Sequence, residues 1–261
     1  MNKKAQKDDR VVDLKHAQNT EISGRRKGIY LLPNLLTTGA LFAGFYAVLS
    51  GFSGKYELAA IAIFTAMVFD GLDGRVARMT NTQSDFGVQY DSLSDMVSFG
   101  VAPAVVAYGW GVSDLGTLGL AAAFVYASCA ALRLARFNVQ ADSSSGKEFT
   151  GLPSPVAAAL VAGFVWSTYS MGASLGLTIL GAALTAVAGL LMVSNFKYPS
   201  FKEVDLRGKV PFIVILSIAM GFVVITIDPP RILFLMASIF SFSAPVIWLG
   251  KKLGMGRVRK S

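Results

Sequence analysis

Along the chain, long apolar runs alternate with short polar breaks. Eight runs of about 20 residues, the length that crosses a bilayer's hydrocarbon core, fall at roughly 30–52, 57–77, 86–109, 115–136, 153–171, 173–193, 210–227 and 231–249. Runs of that length are too long for strands, so each predicts a membrane-spanning helix. Residues 1–29 are polar and charged and hold no apolar run of the kind found in a cleavable leader. The pattern predicts an all-α integral membrane protein with eight spans and a polar arm in front.

Composition agrees. Of 261 residues, 53% are hydrophobic and only 15% are charged, against roughly a quarter charged in a soluble domain. The net charge of +8 is placed asymmetrically: 22 of the 24 Lys and Arg flank one side of the predicted spans, leaving Lys55 and Arg231 opposite. With an even number of spans, this bias puts both termini in the cytoplasm. A nucleic-acid binder of similar charge would not interleave its cations with twenty-residue apolar runs. Cys129 is the only cysteine and His16, in the arm, the only histidine. Disulfides, CxxC metal sites, Ser-His-Asp catalysis and His-ligated zinc are thereby set aside. The remaining chemistry belongs to carboxylates, Arg, Lys, Tyr, hydroxyls or a metal held by oxygen.

One stretch departs from the apolar pattern: "DGLDGRVARMTNTQSDFGVQYDSLSD", residues 70–95. Asp70 and Asp73 stand i, i+3 at the end of the second predicted span, and Asp91 and Asp95 stand i, i+4 near the start of the third. On helices each pair shares a face. The polar residues 81–84 between them suit a short turn, so two antiparallel helices would aim four carboxylates at one another. Asp85 fits no such pattern and reads as an ordinary loop residue. Four unpaired carboxylates in a low-dielectric site repel strongly. An all-oxygen ligand set without His or Cys matches a hard divalent ion, Mg2+, Mn2+ or Ca2+, and two such ions would balance the charge. Gly71, Gly74 and Gly87 leave room for a bulky ligand, and Arg78 suits a phosphate. Together these features point to a diphosphate seat.

The stretch resembles the signature of the CDP-alcohol phosphatidyltransferases, D-x2-D-G-x2-A-R-x8-G-x3-D-x3-D, with every gap of the right length. The resemblance implies a six-helix core, here residues 30–193, that transfers a phosphatidyl group from a CDP-linked lipid to an alcohol and releases CMP. It further implies that Asp70, Asp73 and Asp91 bind divalent metal. Asp95 would bind metal or act as base on the acceptor hydroxyl. Gly74, Ala77, Arg78 and Gly87 would line the cytidine diphosphate pocket. Homodimers are usual in that family. Residues 194–261, a linker with two further spans and a basic tail, resemble an extension found in some members.

The acceptor must be read from elsewhere. "LPNLLT" (32–37), "ALRLARFN" (131–138) and "GLPSP" (151–155) resemble the bacterial and archaeal members of the family that make phosphatidylserine. Serine brings a carboxylate, the natural partner of a guanidinium, so Arg133 and Arg136 are serine-binding candidates, with Asn138 beside them. Asn34 is placed to reach the nucleotide or serine. Ser154 reads first as the start of a helix. Glycerol 3-phosphate, an inositol phosphate and choline remain alternative acceptors. A divalent-cation transporter, which also buries acids, is the rival from another class. The acyl chains of CDP-diacylglycerol must stay in lipid while cytidine sits in water, so the site is expected to open toward the cytoplasmic leaflet. The basic arm and tail would hold anionic lipid near it.

Overall fold

The computed structural model describes residues 31–141, 149–198 and 212–252. The arm 1–29, the basic segment after residue 198 and the end of the tail lie outside the described residues. Helix α1 (Leu31–Phe52) is followed by α2 (Tyr56–Thr80) and α3 (Asp85–Asp95). A π-helical segment, Met96–Val101, joins α3 to α4 (Ala102–Trp110) without a break. Then come α5 (Thr117–Ala141), α6 (Ser154–Thr168), α7 (Leu175–Val193), α8 (Phe212–Ile227) and α9 (Pro229–Lys252). Strand β1 (Phe149–Thr150) pairs antiparallel with β2 (Lys197–Tyr198). Helices therefore occupy all eight predicted apolar segments, the third as α3, π turn and α4 in series.

Four helices are long and apolar enough to cross a membrane by themselves: Leu31–Phe52, Thr117–Val139, Leu175–Val193 and Pro229–Gly250. The others fall short for visible reasons. Helix α2 carries Asp70, Asp73, Arg75 and Arg78 in its second half. Helix α6 has 15 residues, about 22 Å of helix against roughly 30 Å of hydrocarbon. Apolar on all sides, it lies in the middle of the bundle, in contact with α2, α4, α7 and α9. Its residues Ala157 to Val165 are all buried. On the outside, Phe42, Phe52, Phe124, Leu175 and Ile239 are exposed, an apolar surface suited to lipid.

Small residues set the helix spacing. A β-carbon on Gly44 of α1 would stand 2.6 Å from Ser98 Cα, and one on Gly189 of α7 would stand 2.8 Å from Tyr126 Cα. By contrast, Gly172 and Gly176, whose GxxxG-like spacing reads as a packing face, have nothing within 4 Å. Hydroxyls then lock the register: Ser94 Oγ donates to Thr37 O (3.2 Å), Ser98 Oγ to Ala40 O (3.0 Å) and Tyr126 OH to Phe99 O (2.8 Å). These bonds fasten α1 and α5 to the end of α3 and the π turn that flank Asp95.

Candidate active site

The turn between α2 and α3 is built as its sequence requires. Asn81 ends α2 in a left-handed conformation (φ 51°), which asparagine tolerates. Ser84 caps α3, its Oγ accepting from Gly87 N at 3.1 Å. The hairpin brings the acidic faces of α2 and α3 together. One oxygen from each of Asp70, Asp91 and Asp95 lies within 4.8 Å of the others. Like charges hold that geometry only with a proton or cation between them. Three convergent oxygen donors suit a hard divalent ion.

Asp73 stands outside this group of three. It is 5% exposed, and its Oδ2 accepts from Thr37 Oγ1 at 2.7 Å. Asp73 instead faces a cavity of about 290 Å³, which Asn34, Gly74, Ala77, Arg78, Gly87 and Asp91 also line. All five residues expected at the nucleotide thus border one space. Two glycines keep it open: a β-carbon at Gly74 would sit 3.4 Å from Arg78 Nη1, and one at Gly87 would sit 3.2 Å from Ser84 Oγ. Gly71 is exposed with nothing near it and lies apart.

A second cavity, about 170 Å³, lies about one turn further along α3. Asp95, Ser92, Arg133, Phe137 and Ser154 border it, and Val88 and Asp91 line both spaces. Of the three residues expected at serine, only Arg133 lines it. Arg136 Nη2 donates to Asn195 Oδ1 at 3.3 Å. Asn138 stands one residue back, accepting from Ser92 Oγ at 3.1 Å and donating to Gln89 Oε1 at 3.3 Å. A larger hollow, about 510 Å³, between the segment after α7 and α9 has no carboxylate in its lining.

Sequence reasoning passed over Thr37, Thr82, Gln83 and Ser92. Thr37 had a signal, since it follows Asn34 by three residues and so shares its face. Thr82 and Gln83 belong to the turn already read as polar. Tyr90 places its hydroxyl 2.9 Å from Thr38 Oγ1 and ties α3 to α1.

Comparison with known proteins gives a consistent picture. Residues 30–194 match the CDP-alcohol phosphatidyltransferase family. A CDP-diacylglycerol–serine O-phosphatidyltransferase of Helicobacter pylori is 38% identical over 196 residues, 75% of this chain and 83% of that protein. The enzyme of that name in Methanocaldococcus jannaschii is 43% identical over 139 residues, 53% of this chain and 62% of the relative. Its namesake in Bacillus subtilis is 36% identical over 172 residues, covering 66% and 92%.

Proposed function

Because the chain belongs to the CDP-alcohol phosphatidyltransferase family, we propose that it transfers the phosphatidyl group of CDP-diacylglycerol to L-serine, yielding phosphatidylserine and CMP. The observation that carries this reading is the meeting of two cavities at Asp91, beside the convergent Asp70 and Asp95. One space is suited to a nucleotide diphosphate, the smaller to an acceptor.

The donor set fits divalent metal, Mg2+ or Mn2+, which Asp70, Asp73 and Asp91 would hold, leaving Asp95 free as the base. When bound, such ions supply positive charge to the diphosphate and to the departing phosphate. The chain's own groups do the rest. Arg78 pairs with a phosphate oxygen, and Gly74 and Gly87 admit the nucleotide to the backbone. Asn34 hydrogen-bonds it, and Ala77 gives it an apolar floor. Asp95, bordering the acceptor cavity, takes the proton of the serine hydroxyl as that oxygen attacks phosphorus. A serine O–P bond forms, the bond to the CMP oxygen breaks, and CMP leaves with the electron pair.

In this reading all eight apolar helical segments span the membrane and both termini are cytoplasmic. Residues 30–193 form the catalytic core, with a cytoplasmic linker, two more spans and a basic tail after it, and the working unit is a homodimer. The test supplies purified protein with CDP-diacylglycerol and a panel of alcohols. CMP should appear with serine and a divalent ion, and cease when the ion is chelated. Release with glycerol 3-phosphate, an inositol phosphate or choline in place of serine would move the assignment to that acceptor.

A further inference from the structure

The smaller cavity holds a detail that the transfer reaction alone does not explain. Ser154 opens α6 and is fully buried (0% exposed), far from the usual setting of a helix-start serine. Its Oγ accepts no helix-cap bond; it accepts Arg133 Nη1 at 2.8 Å instead. Arg133 Nε, on another edge of the same guanidinium, is buried without any hydrogen-bond partner. A buried, unpaired donor on a cation is costly, and native proteins rarely leave one unless a ligand completes it. The guanidinium is planar, so fixing Nη1 fixes the direction of the remaining N–H groups. Both Arg133 and Ser154 border the cavity that also touches Asp91 and Asp95.

We infer that Ser154 is a positioning residue that clamps Arg133 so that its unpaired edge receives the carboxylate of the acceptor, making the site selective for alcohols that carry one. The inference rests on the acceptor reading above and adds to it the source of selectivity. Two parallel N–H···O bonds from one guanidinium edge fit a planar carboxylate. A polyol or an amino alcohol lacking that group leaves the donors unpaired and is rejected, as sites built around buried donors reject analogues without the acceptor. Arg136, engaged with Asn195, has no part in this.

The experiment compares serine with serinol, which replaces the carboxylate by a hydroxymethyl group, in CMP release by the full-length enzyme. Ser154→Ala should raise KM for serine roughly tenfold, the worth of one hydrogen bond to a charged group. The KM for CDP-diacylglycerol should not follow, and the preference for serine over serinol should shrink. Arg133→Lys, whose ammonium offers no flat edge, should shrink it further and serves if Ser154→Ala fails to fold. A Ser154→Ala or Arg133→Lys enzyme with the wild-type serine-to-serinol ratio overturns the inference, as does equal loss toward both acceptors. Failure of wild-type protein to use serine at all would instead strike the functional reading on which it stands.

Discussion

Asp95 is the last residue before the helix widens into its π turn, and it borders the smaller of the two cavities, proposed for the acceptor. Asp73 borders only the larger one, proposed for the nucleotide. Asp95→Asn keeps shape and hydrogen bonding but cannot take a proton at neutral pH. Transfer should fall by roughly 10²- to 10⁴-fold, the usual contribution of a positioned base. Binding of CDP-diacylglycerol, followed by protection against thermal unfolding, should largely persist; an active variant would remove Asp95 as the base. The four aspartates were legible because helical spacing turns i, i+3 and i, i+4 into shared faces. The division of labour among them was not. That Asp70, Asp91 and Asp95 converge while Asp73 turns to Thr37 depends on the rotation of α2 against α1, which no local spacing encodes. The pairing of Ser154 with Arg133 was hidden for the same reason, since the two lie 21 residues apart on different helices.

At the scale of elements, apolar run length was enough to place every helical segment, because in lipid the backbone must satisfy itself within each span. It could not reveal the π turn at Met96–Val101, which leaves the apolar pattern unbroken. Nor did it separate helices that pack from glycines that merely resemble a packing face. Gly44 and Gly176 make that distinction testable. Gly44→Leu drives a side chain into Ser98 of the π turn and should destabilise by about 1–3 kcal/mol, as overpacking does. The disturbance falls directly behind Asp95, so activity should drop with the unfolding midpoint in detergent. Gly176→Leu points into open space and should leave both unchanged. Equal effects at the two sites would mean that α1 does not approach the π turn as closely as described.

For the molecule as a whole, the site's position at one end of the bundle links charge to chemistry. Arg75, Arg78, Arg133 and Arg136 belong to the helix ends that carry the carboxylates, whereas Lys55, between α1 and α2, and Arg231, in the first turn of α9, sit at the opposite end. Arg231 there is paired with Asp228 at 3.0 Å. Cations resist translocation, so in the proposed topology this bias holds the carboxylate end in the cytoplasm, where CDP-lipid and serine would meet. The consequence can be tested with single cysteines. Replacing buried Cys129 by alanine gives a thiol-free background, into which Asp85→Cys or Ser53→Cys is introduced. Both positions are exposed, one at the start of α3 beside the site and the other on the opposite connection. An impermeant maleimide should label Asp85→Cys in inverted inner-membrane vesicles and not in intact spheroplasts, with Ser53→Cys the reverse. Labelling of both from one side would break the hairpin topology of α2 and α3. Labelling with the two sides exchanged would put the carboxylates outside the cell, away from any cytoplasmic supply of nucleotide-activated lipid, and the proposed reaction would lose its setting.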